Sequence, residues 1–385
     1  MKFVNVLFVV LLYCTHLSAQ VTLPNNLYFT HIGVEDGLCQ NTVCCILQDH
    51  LGFIWLGTKD GLTRYDGYRF RVFKHDAADP MSIGNNFIRV LYEDADGLIW
   101  IGTNVGVYIY NPETENFRKF DVATERGDVI SREVSSIKCD SSGDLWIGVN
   151  WQGVFRYDRR DESLELYEPV PGDTTSLSSV HVWDLCFDGD GNLWVGSQNG
   201  GLDRYDRETD RFVRHRLKGL SDVSRIVLDK QNQLLLGTMK DGLFSFNPYM
   251  GTCQPLLLDS GHKDLFVRAI FVRNSREVVV GTENGIYIYD CVTRKTRHVN
   301  QELGNPYSLS CKAVYSIYCD KEGALWIGTY FGGVNYLPPS SSLIFDKFYP
   351  IGHSDRLSGK AVREFVRDES GIIWIGTEDQ GLNRF

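Results

Sequence analysis

The stretch Asp188-Gly-Asp-Gly-Asn-Leu-Trp194-Val-Gly196-Ser, followed by Gly201-Leu-Asp-Arg-Tyr205, decides the fold, because its spacing recurs along the chain. With the glycine after Trp-x as anchor, the copies fall at Gly57, Gly102, Gly148, Gly196, Gly237, Gly281, Gly328 and Gly376, at intervals of 45, 46, 48, 41, 44, 47 and 48 residues. Two residues before the anchor stand Trp55, Trp100, Trp146, Trp194, Trp326 and Trp374, with Leu235 and Val279 in the other two copies. Eight residues before it stand Asp49, Asp94, Asp140, Asp188, Asp229, Asp320 and Asp368, with Arg273 the exception. A second glycine follows every anchor by four or five residues, from Gly61 to Gly381. A fixed period of this size marks an array in which each copy is one supersecondary unit.

Each recurring residue has a local reason. Asp-x-x-Gly suits a tight hairpin, in which the carboxylate accepts backbone N–H bonds and glycine takes the left-handed position. The run around each Trp alternates and is aromatic or β-branched, as a strand should be. The second glycine turns the chain into a third strand that ends on an aromatic such as Tyr65 or Tyr205, and a more polar strand such as Phe212-Val-Arg-His215 follows. Val182-Trp-Asp-Leu-Cys186 supplies the first strand of its copy. Four short antiparallel strands per copy cannot bury both faces alone, but copies stacked around an axis can, with each Trp filling the gap to its neighbour. The expected fold class is all-β, a β-propeller of four-stranded antiparallel blades.

Composition agrees and narrows function. Aromatics at 12% and 37 glycines favour strands and turns. A formal net charge of −10 argues against nucleic acid and anionic membrane surfaces, which call for clustered Lys and Arg. Residues 1–19 read as a signal peptide: Lys2, an apolar run from Val4 to Tyr13 too short to span a bilayer, and a cleavage site near Ala19. The mature chain is then periplasmic or secreted. Nine of ten cysteines remain, an odd number that excludes complete pairing, and Cys45, Cys139, Cys186 and Cys319 on first strands read as buried thiols. The repeated Asp residues carry too few carboxylates per turn for calcium loops, and no metal or cofactor is expected.

The string from Leu38 to Gly67, containing Asp49-His-Leu-Gly-Phe-Ile-Trp55-Leu-Gly57-Thr-Lys-Asp60-Gly61-Leu-Thr-Arg-Tyr65-Asp-Gly67, resembles the two-component regulator propeller repeat. More closely, the chain is similar to the periplasmic sensor of hybrid two-component systems of Bacteroides-type bacteria. The resemblance implies about fourteen repeats in two seven-bladed propellers, then a β-sandwich, a membrane helix and a kinase. It implies recognition of an oligosaccharide, membrane contact only through later parts, and pairing of two copies in the full-length protein. On this ground a seven-bladed ring over 20–350 is favoured, with 351–385 as an eighth repeat that starts a second, truncated propeller. A single eight-bladed ring is the alternative. In either, the amino-terminal segment Leu27–Ile32 resembles an outer strand that closes the circle.

Propeller ligands are expected where the second strand turns into the third and the fourth feeds the next blade. Trp151, Gln152, Gln198, Asn199, Tyr330 and Phe331 occupy such turns, along with Lys59, Asp60, Asn104, Lys240, Glu283 and Asn284. Exposed rings beside amides and charges suit sugar binding, since the apolar sugar face stacks while hydroxyls meet polar groups. The first strands add Arg89, Trp183, Arg268, Tyr315 and Arg363 at equivalent positions, able to line the channel. Their arginines suit an acidic or sulfated sugar, or else satisfy local carbonyls and carboxylates. No Gly-x-Ser-x-Gly elbow, His-Glu-x-x-His pair or phosphate loop is present, and no catalytic residue is expected. A secreted protein-binding scaffold and a propeller glycan hydrolase or lyase are the competing readings.

Overall fold

A computed structural model describes residues 22–217, 220, 222–257, 265–339, 357–359 and 361–385. The leader read at 1–19 lies outside them. Thirty-one short strands follow one another, with a single 3-10 turn at Val34–Asp36 among the described residues. They assort into seven four-stranded antiparallel sheets and one of three strands. Blade four shows the plan: Val182–Phe187 is innermost, followed by Leu193–Ser197, Gly201–Asp206 and, outermost, Arg211–His215.

The anchor glycines set the distance between blades. A Cβ on Gly281 would lie 2.6 Å from Val314 of the next blade, and one on Gly102 2.6 Å from Val134. Only a residue without a side chain lets the neighbouring inner strand pack so closely. Gly328 of blade seven meets Val43 of blade one in the same way, at 2.8 Å, so the seventh sheet packs on the first. The inner strands Val43–Gln48 and Val314–Cys319 lie side by side there. The ring therefore closes after seven blades, and the eight-bladed alternative falls away.

Closure is also made through hydrogen bonds. Thr30–Ile32 pairs antiparallel with Val334–Tyr336 and serves as the outer strand of blade seven. Just before it, Phe29 is buried against Leu309 and Leu325, and Leu23 joins the same cluster. The Leu23 N–H donates to the buried Glu277 carboxylate at 2.9 Å, and the Arg297 guanidinium donates to the Pro24 and Asn25 carbonyls.

The motif tryptophans of the ring fill the seams, each across the boundary to the following blade. Trp194 packs with Val223, Ile226, Leu236 and Phe246 of blade five, and Trp326 with Val43, Ile54 and Leu56 of blade one. Burial of such a side chain contributes roughly 2–3 kcal/mol. Sequence reading missed a second bond of the motif. Each motif Trp of the ring donates its indole N–H to the aspartate six residues earlier, as Trp55 to Asp49 at 2.7 Å, Trp100 to Asp94 at 2.8 Å, Trp194 to Asp188 at 2.8 Å, and Trp326 to Asp320 at 2.8 Å. The aspartate's other oxygen accepts the turn's N–H groups, as from Asp190 and Asn192 onto Asp188. Blade six, where Val279 replaces the Trp, also has Arg273 in place of the Asp.

The eighth sheet, Val362–Arg367, Ile373–Thr377 and Gly381–Arg384, keeps the motif, including a Trp374–Asp368 bond of 2.8 Å. It stands apart from the ring. Among the described residues, a Cβ on its anchor Gly376 would meet only the sheet's own Glu364 carbonyl, and Val362, Phe365, Val366, Leu382 and Phe385 are exposed. All nine cysteines of the described residues are free thiols; burial pushes the Cys186 thiol up to about 12.

Candidate functional site at the upper channel

Six of the seven ring blades carry the same irregularity at the start of the inner strand. In blade four Val182 faces Ser197 and Asp184 faces Gly196, so Trp183 is the surplus residue of a β-bulge. The surplus residues elsewhere are Cys44, Arg89, Ser135, Arg268 and Tyr315. A bulge re-aims a side chain away from the regular alternation. Here it turns six side chains out of the seams and into the central channel. Around them is a cavity of about 300 Å³ lined also by Glu133, Asn150, Val134, Val182 and Arg225.

Four of the five inner-strand candidates thus meet in one place: Arg89, Trp183, Arg268 and Tyr315. Arg363 occupies the corresponding bulge of the eighth sheet, outside the ring. Sequence reading did not pick Cys44, Glu133, Ser135, Asn150 or Arg225.

In blades two, six and seven the turn residue two positions after the anchor reaches over the bulge residue. Arg89 donates to Asn104 at 2.8 Å, and Arg268 to Glu283 at 2.7 Å. Tyr315 stacks on Tyr330 with centroids 5.1 Å apart. The eighth sheet repeats the pattern in an Arg363–Glu378 ion pair. The two classes of candidate, inner strand and upper turn, therefore share one face. Arg89 also pairs with Glu133 at 2.9 Å. Both arginines are balanced by carboxylates and lie over rings, Arg89 over Phe87 and Arg268 over Phe266. Burial pushes the Cys44 thiol up to about 11, keeping it a neutral lining group.

The remaining turn candidates divide. Trp151 is 66% exposed, held in the left-handed region at φ 71° and set edge-on against His181 with centroids 4.1 Å apart. Phe331 is 70% exposed beside Tyr330. These two rings are open platforms at the rim. Gln152 is occupied otherwise: its amide accepts from the Ser131 N–H and donates to the Val129 carbonyl, so it staples its own loop. Gln198 and Asn199 hold the turn through backbone bonds, to the His181 carbonyl and the Asp222 carboxylate. Lys59 bonds the Tyr330 hydroxyl at 2.9 Å and covers its ring. Among the described residues no cluster of His, Cys, Asp and Glu is arranged to hold a metal ion.

Residues 37–60, 82–105, 176–199 and 308–331 match the family model described as two component regulator propeller. The chain carries two component regulator propeller repeats. All four matched segments run through an upper turn and end within it, so the face described above belongs to the repeat's defining stretch. A curated relative, Histidine kinase P4 of Formosa agariphila, is 39% identical over 59 residues, 15% of this chain and 4% of that protein. Among solved structures, the extracellular domain assigned to the hybrid two component system BT3049 of B. thetaiotaomicron matches with a TM-score of 0.79 and 28% identity, over 94% of this chain and 48% of that one. The corresponding domain of BT4673 matches with a TM-score of 0.70 and 22% identity, over 94% and 45%. The chain thus spans about half the length of these solved domains. The domains it resembles are extracellular, and no helix among the described residues is long and apolar enough to cross a membrane.

Proposed function

We propose that this chain is the ligand-sensing propeller of a hybrid two-component regulator, working in the periplasm after removal of its leader, and that its ligand is an oligosaccharide held at the upper channel. One observation carries the reading: a ring of bulge residues converges on a cavity whose rim bears two exposed aromatic platforms, Trp151 and Phe331. Sugar rings stack on such surfaces, while Asn150, Ser135 and the arginines offer hydroxyl partners below. A non-catalytic role fits a cavity whose charged groups are mostly locked in pairs. The eighth sheet, with its motif intact and its apolar face exposed, is read as a blade of a second propeller.

Calorimetric titration of the chain with a panel of plant and host oligosaccharides tests this. At least one is expected to bind, and Trp151→Ala or Phe331→Ala to weaken it about tenfold, the scale of one lost stacking contact. Absence of binding across the panel, or release of cleaved products, would overturn the reading.

A further inference from the structure

Of the three arginines that line the channel, the two legible in sequence are neutralised by Glu133 and Glu283. Arg225 is not. Its guanidinium is fixed by backbone carbonyls alone: Nε donates to Arg268 O at 2.7 Å, and one terminal nitrogen to Ser224 O at 3.2 Å and Trp183 O at 3.4 Å. Among the described residues no carboxylate pairs with it. Beside it Trp183 lines the same cavity, and its buried indole N–H meets no acceptor among the described residues. At the rim Lys59 is held by the Tyr330 hydroxyl and ring, again without a carboxylate among the described residues. In a chain of formal net charge −10, the channel therefore has a surplus of positive charge.

A guanidinium held by carbonyls keeps its full charge and a fixed orientation. In a cavity that Trp183 also lines with an unspent indole N–H, it is pre-organised for an oxyanion. The cavity's roughly 300 Å³ is at the lower bound for small-molecule sites, room for one sugar ring and not for a chain of them. We infer that the channel receives a single anionic sugar residue end-on, a uronate or a sulfated ring, with its acid group on Arg225 and the Trp183 N–H. The following rings would lie outward on Trp151 and Phe331. This rests on the oligosaccharide reading above and narrows it.

The test is calorimetry of the chain with D-galacturonate, its neutral parent D-galactose, and inorganic sulfate, at low and at physiological salt. Galacturonate or sulfate is expected to bind at least about tenfold more tightly than galactose, and less tightly as salt rises. Arg225→Gln should remove that preference and Arg225→Lys should keep part of it. Trp183→Phe, which deletes the N–H while retaining a ring, should weaken anion binding several-fold without loss of fold. Equal binding of galactose and galacturonate, or an anion preference untouched in both the Gln and Phe variants, would overturn the inference. If neither anion binds while a neutral oligosaccharide does, the anion seat fails and sugar sensing stands. If sulfate binds through Arg225 while no sugar binds, the seat stands and the sugar reading fails.

Discussion

Asp203 shows how much a single position can weigh in this array. It is fully buried on the third strand of blade four and accepts the N–H and hydroxyl of Ser178, which ties down the incoming loop. At the same place blades seven and eight use Asn335 and Asn383, which accept from Ser310 and Ser358. Burial raises the Asp203 carboxyl from 3.8 to about 6, only partly offset by the Ser178 bonds. Between about pH 4 and 6 the folded chain then holds a proton that the unfolded chain has released. Stability contributed by the neutral acid is present below that window, falls as pH rises through it, and is level above. Asp203→Asn should therefore stabilise the ring by about 1–3 kcal/mol at pH 7 and flatten this slope, as read from urea unfolding at a series of pH values. Asp94→Ala should act in the opposite sense. It strands the buried Trp100 indole N–H and the Leu98 turn N–H together, a cost of about 2–4 kcal/mol in the same assay.

One blade is the unit that sequence reveals well, and its inner strand marks where legibility stops. Trp, Asp and Gly recur because a seam, a turn and a close approach each demand one residue type, so those positions are readable from spacing. Arg89, Trp183, Arg268 and Tyr315 are also findable, because the same offset from the anchor puts each at the bulge. Arg225 escapes that count. Blade five pairs Arg225 directly with Gly237, with no surplus residue, and the side chain reaches the channel by its length from a position that elsewhere faces a seam. Gln152 misleads for the converse reason: an amide on an upper turn looks like a ligand group until its loop partners at 129 and 131 are known. The seam argument makes a comparison possible within one chain. Trp194→Ala, 1% exposed between two blades, should cost about 3–5 kcal/mol, whereas Trp374→Ala, on a half-buried strand apart from the ring, should cost less than half as much in this chain. Thermal unfolding of the two variants decides this.

For the whole molecule, closure is the event on which the other contacts depend. Blade seven takes its outer strand from the amino-terminal segment, so stretches of chain some three hundred residues apart are joined by the Thr30–Ile32 ladder and by Phe29 beneath it. Deleting the residues up to Ile32 leaves Val334–Leu337 as an unpaired edge, a template for association between molecules. The shortened chain should elute as soluble oligomers on size exclusion, and the amides of Val334–Leu337 should lose protection from hydrogen exchange.

The bulges carry a consequence for how such propellers diversify. The residue looking into the channel is surplus to the ladder, so the paired residues on either side of it keep their register whatever stands there. On the ligand site proposed above, exchanges at codons 44, 89, 135, 183, 268 and 315 can therefore re-key what is recognised without passing through a misfolded ancestor. Selectivity in this scaffold is free to drift at a rate the rest of the blade could not survive.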